Sequence, residues 1–135
     1  ISWRCFPIES PSVSRAITRT FGGTIGEPMS LGGPDHAATD RTLTTLPTIL
    51  REGDAVLVMC ETVEPPDAGL RRMLARLRGL IGARRAILVA LAHRVAPDGR
   101  VEAASQETLS TWRRKLDVLA DPYLRVEALD VEASR

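Results

Sequence analysis

Apolar positions in the second half of the chain fall into short runs separated by segments with helical spacing. Residues 54–61 (DAVLVMCE), 85–92 (RAILVALA) and 124–129 (LRVEAL) are β-branched or aliphatic runs of strand length. Between them, residues 70–81 place Leu70, Met73, Leu74, Leu77, Leu80 and Ile81 on one helical stripe. Residues 109–119 do the same with Leu109, Trp112, Leu116 and Leu119, and this stripe makes Trp112 a buried anchor. Near-continuous apolar strands alternating with amphipathic helices are what a parallel sheet requires, because helical crossovers cover both of its faces.

The first half repeats the alternation less sharply. Residues 1–6 (ISWRCF) read as a strand, followed by a helix with Ser10 as N-cap, Pro11 at its first position and Gly22 as its C-terminal cap. Residues 24–31 read as a second strand, confined to an edge by Gly26 and Pro28. Asp35 can cap a helix from His36 with Leu43 and Leu46 buried, and Pro47 predicts a break near Thr45 and Leu46. Residues 96–104 read as an exposed turn or short hairpin around Asp98-Gly99, and Asp121-Pro122 stops the last helix. Taken together these elements predict a single α/β domain. It is a three-layer α/β/α sandwich with a five-stranded, mostly parallel sheet in the order 2-1-3-4-5 of flavodoxin-like sheets. The ligand crevice of such a sheet lies beyond the carboxyl ends of strands one and three.

The candidate crevice residues are therefore Glu9 and Ser10 after strand one, Cys60, Glu61 and Glu64 at and after strand three, and His93 after strand four. A phosphate cradle needs glycine amides and usually a lysine. The loop after strand one has neither, and three carboxylates would repel phosphate. The same positions do not fit a phosphoryl-accepting receiver domain: strand three ends in Cys60-Glu61, and the single lysine, Lys115, falls inside the last helix. Cys60 and His93 come from neighbouring strand ends, so a thiol–imidazole pair in a small enzyme is the alternative to an interaction domain without chemistry of its own. No close-spaced metal-ligand motif is present, and no cofactor is expected.

Composition adds little until charge is mapped along the chain. With 44% apolar residues and a net charge of +1, the chain is globular, and no overall charge draws it to nucleic acid. Locally, however, Arg71, Arg72, Arg76, Arg78, Arg84 and Arg85 follow one another with no acidic residue between Asp67 and Asp98. Arg71, Arg72, Arg76 and Arg78 make a candidate basic patch, with Arg71, Arg72 and Arg78 on the solvent side of a helix, and it is either a solvated face or a dock for an acidic partner or anionic lipid headgroups. No aromatics interleave with the arginines, so nucleic acid is not the expected partner. Two cysteines, both in apolar runs, read as reduced buried thiols, and no apolar run approaches the ~20 residues of a membrane span. The chain opens directly into a strand at Ile1, which suggests a piece of a longer protein, and 17 arginines against one lysine suggest a GC-rich bacterial source.

Several of these residues occur together in a known setting. The segment Glu64-Pro65-Pro66, the helix and strand after it, then Trp112-Arg113-Arg114, Leu116, Asp121-Pro122 and Leu124-Arg125-Val126-Glu127 resemble the C-terminal domain of a bacterial family of unknown function. The resemblance covers about residues 54–129. Members of that family are multi-pass inner-membrane proteins, often encoded beside a GTPase. The resemblance therefore implies a soluble domain on the cytoplasmic side of the inner membrane, with that GTPase as partner, and in that setting the arginine patch would meet an anionic membrane surface. It implies no catalytic residues, and it leaves the oligomeric state open.

Overall fold

The computed structural model of the chain describes residues 2–6, 11–25, 36–63, 68–98 and 100–129. The elements in chain order are β1 (Ser2–Phe6), α1 (Pro11–Phe21), β2 (Thr24–Ile25), α2 (His36–Ile49), β3 (Asp54–Glu61), α3 (Ala68–Ile81), β4 (Ile87–Val95), β5 (Val101–Ala103), α4 (Gln106–Lys115), one 3-10 turn (Val118–Ala120) and β6 (Leu124–Ala128). The chain is thus an α/β domain built on an open sheet whose main strands run parallel.

β1 pairs in parallel with β2 and β3, and β4 pairs in parallel with β3 and β6. The β3–β4 register runs from Val56 opposite Ile87 to Glu61 opposite Ala92. The strand count corrects the expected five. A further short strand, β5, lies antiparallel to the end of β4, making a six-stranded sheet among the described residues. The outer edge of β4 is divided: Ile87 to Leu91 pair with β6, and Ala92 to Val95 pair with β5 across an irregularity between Ala92 and Arg94. The expected hairpin forms this extension, closed by a hydrogen bond from Ala96 N to Arg100 O of 2.8 Å. Asp98 Oδ1 and Oδ2 accept from Arg100 N and Nε, at 3.1 and 2.7 Å, and these bonds hold the Asp98 carboxyl below its ordinary pKa.

Alternate side chains of the strands feed two apolar clusters, as a twofold side-chain period dictates. Val56, Val58, Ile87, Val89, Leu91 and Val126 join Leu43 and Leu46 of α2, Leu74 and Leu77 of α3, and Leu109, Trp112 and Leu116 of α4. Ala55, Leu57, Leu88, Ala90 and Ala92 join Ile17 of α1, Val101 of β5 and Leu129. Trp112 is buried as its stripe requires.

Three local expectations are corrected. α2 runs without interruption through Pro47 to Ile49. Pro47 sits in the last turn, so its missing N–H costs one bond near an end, and Leu50 N still reaches Leu46 O at 3.0 Å. Leu119, expected on the buried stripe, is 96% exposed. α4 ends at Lys115, Asp117 takes a left-handed conformation with φ 52°, and the 3-10 turn that follows has a period near three. That change of period swings Leu119 away from the sheet. Arg78, expected on the solvent face, is largely buried, as the next section describes. The second strand is described only at Thr24 and Ile25; its expected remainder lies outside the described residues.

Candidate functional site

β3 and β4 end side by side, and their register decides which candidates meet. Cys60 stands opposite Leu91 and packs against the larger apolar cluster. Burial pushes its thiol up from 9.0 to about 12, so it stays protonated and poorly nucleophilic at neutral pH. His93 is exposed two residues beyond Leu91, and no hydrogen bond among the described residues joins it to Cys60. Glu61 is exposed at the end of β3, opposite Ala92. Glu9, Ser10 and Glu64 lie outside the described residues. Among the described residues no group of three His, Cys, Asp or Glu side chains is placed to hold a metal ion.

One residue further along, the chain forms a cleft that the strand-end reasoning missed. Thr62 N donates to Ala92 O at 2.8 Å, which ties the end of β3 to β4 and turns the Thr62 side chain inward. Thr62, Val63, Glu107, Thr108, Thr111 and Trp112 line a cleft of about 240 Å³. α4 brings the last four residues there because the β4–β5 hairpin sets its first turn at the carboxyl edge of the sheet. Ser105 caps the helix: its Oγ accepts from Thr108 N at 3.1 Å and donates to Thr108 Oγ1 at 2.9 Å. Glu107 is the acidic residue of that first turn. Thr62 is 9% exposed, and its Oγ1 is buried with no hydrogen-bond partner. The polar stripe Glu107, Thr108, Thr111 is visible in the sequence at helical spacing, but nothing local shows that Thr62 lies across from it.

The basic patch divides into two kinds of arginine. Arg71, Arg72 and Arg76 are exposed on α3. Arg78 is a structural hub: its Nε donates to Asp121 Oδ2 at 2.8 Å, and its Nη1 donates to Gly82 O at 2.9 Å and Arg85 O at 2.6 Å. It follows Leu77 by one residue at the end of the helix, so it flanks the buried stripe instead of opposing it. Arg85 is likewise committed, its Nη1 donating to Arg51 O at 2.9 Å and Asp54 O at 2.8 Å. Between α3 and the end of α4 lies a second cleft, of about 350 Å³, where Arg71 and Lys115 stand with Asp117 and the Arg78–Asp121 pair. Among the described residues no helix is long and apolar enough to cross a membrane.

Residues 14–121 match the profile of a family described as "Protein of unknown function (DUF2868)". The match starts well before residue 54, so it takes in the first half of the chain as well as the segment that carries the resemblance. No curated protein and no solved structure matches the chain.

Proposed function

Because the chain belongs to the DUF2868 family, whose function is unknown, we propose its role from its own geometry: it is a non-catalytic interaction domain that docks through a basic helical face. The observation that carries this reading is the exposure of Arg71 and Arg72 on α3, continued across the second cleft by Lys115 of α4. Asp121 in that cleft is already engaged by Arg78, which leaves Asp117 as the acidic side chain facing Arg71 and Lys115 there. The half-buried Cys60, whose thiol is pushed up to about 12 by burial, supports docking over chemistry. We read the domain as one part of a longer bacterial protein, held at the cytoplasmic side of the inner membrane, with anionic headgroups as the docking surface. The resemblance adds a neighbouring GTPase as a protein partner. We also read the sheet as flavodoxin-like and three-layered; the contribution of α1 to one apolar cluster and of α2, α3 and α4 to the other supports this.

Each basic side chain near an anionic leaflet contributes about 1 kcal/mol, and the effect fades within a Debye length of ~8 Å at physiological salt. The domain should therefore co-sediment with phosphatidylglycerol-containing vesicles at low salt and detach near physiological salt. The triple replacement Arg71→Gln, Arg72→Gln, Lys115→Gln should abolish sedimentation with folding unchanged. Binding that is absent at low salt, or that survives the triple replacement, refutes docking to headgroups. Pull-down by the GTPase encoded nearby tests the protein partner separately.

A further inference from the structure

The cleft at the carboxyl end of β3 carries a feature that packing alone does not account for. A buried hydroxyl without a partner destabilises the fold, whereas valine, of the same shape, would leave no orphaned polar atom. Thr62, which lines the cleft, is nine-tenths buried, and its hydroxyl oxygen is buried without a partner. Thr111, Glu107 and Trp112 of α4 line the same cleft. Among the described residues Glu107 is the charged side chain of this lining, so its carboxylate favours a cation. Thr108 Oγ1 already accepts from Ser105, so its hydroxyl is oriented by the cap.

We propose that this cleft binds an alkylammonium group, with Glu107 as its counter-ion and the hydroxyls of Thr62 and Thr111 as hydrogen-bond acceptors. An ammonium has three N–H donors, and these three oxygens supply one acceptor for each. A ~120° rotation about the Thr62 Cα–Cβ bond carries the orphaned oxygen to a second staggered position, from which it reaches the ligand. The alkyl stem lies against Val63, which is 48% exposed, and the Trp112 ring adds apolar and cation–π attraction. At about 240 Å³ the cleft takes a short diamine or a lysine side chain. The site lies at the opposite end of α4 from the Lys115 cleft, so its fate is independent of the docking reading.

The test is a titration of the ¹⁵N-labelled domain with 1,5-diaminopentane, with 1-pentanol as the neutral control. A second arm uses a short lysine-containing peptide with blocked termini. The expected result is saturable shifts of the Thr108 and Thr111 amides and the Trp112 indole N–H with the amine and none with the alcohol. Saturation by the free diamine alone identifies a small-molecule site, and tighter saturation by the peptide identifies a partner's lysine. Glu107→Gln should weaken binding at least tenfold with the fold intact. Thr62→Val should raise the melting temperature of the free domain and weaken binding. Equal shifts with amine and alcohol, no saturable shifts, or amine binding unchanged in Glu107→Gln would overturn the proposal.

Discussion

Replacing Arg78 with alanine should destabilise the domain by about 2–4 kcal/mol, an effect that a surface arginine does not have. The figure follows from position. Exposed ion pairs contribute about 0–1 kcal/mol, and breaking a fully buried pair costs about 3–5 kcal/mol. Arg78 and Asp121 lie between these limits, with side chains 19% and 25% exposed, and the same guanidinium also donates to the Gly82 and Arg85 carbonyls. Truncation leaves both carbonyls and the Asp121 carboxylate short of a donor in partly dry surroundings. Gly82 ends α3 at φ 97°, and Asp121 accepts from Tyr123 N at 2.9 Å. The loss therefore loosens the α3–β4 loop and the entry to β6 together. For a chain of this size the change corresponds to about 10 °C in melting temperature. Urea unfolding followed by far-UV circular dichroism measures it as a lower midpoint at constant slope. Arg78→Lys should recover only part of the loss, because one ammonium cannot span Asp121 and both carbonyls. Arg72→Ala is the control and should stay within about 0.5 kcal/mol of the parent. If Arg78→Ala unfolds at the same urea concentration as Arg72→Ala, the hub reasoning is wrong.

Other substitutions probe other parts of the fold. Trp112→Ala should cost about 3–5 kcal/mol, since the ring is 4% exposed within the larger apolar cluster; an unchanged urea midpoint would contradict its anchoring role. Asp117 holds a left-handed conformation just past the end of α4, where its charge also opposes the helix dipole. Asp117→Asn should raise stability by about 0.5 kcal/mol and Asp117→Val should lower it by more than about 1 kcal/mol, and differential scanning calorimetry reads whether the two differ in sign. With its thiol near 12, Cys60 in the native chain should react with iodoacetamide at pH 8 about 10³-fold more slowly than in the unfolded chain, with peptide mapping separating it from Cys5. Its raised pKa leaves stability untouched below about pH 9. Above that the unfolded chain releases the proton while the folded chain keeps it, so stability should fall by about 1.4 kcal/mol per pH unit up to about pH 12. A native chain alkylated as fast as the unfolded one would place Cys60 at the surface.

The amino-acid sequence alone determined the elements whose signals are local. The apolar runs of β3, β4 and β6, the stripe of α3, the burial of Trp112, the Asp98 turn and the Gly22 helix end are all legible in it. Each rests on a period of two or 3.6 residues, or on a cap or turn within a few positions. Tertiary structure decided what depends on partners distant in the chain. The division of the β4 edge between β5 and β6 is set by which strands arrive there. Arg78 becomes a hub only because Asp121 is carried to it, and Leu119 is exposed because a left-handed Asp117 resets the helical phase. The carboxyl edge was the place expected for a crevice, since the parallel strands end there. The Thr62 and Glu107 cleft was not expected, because its hydroxyls and carboxylate lie on separate elements that meet only after the hairpin has set the first turn of α4 beside the end of β3.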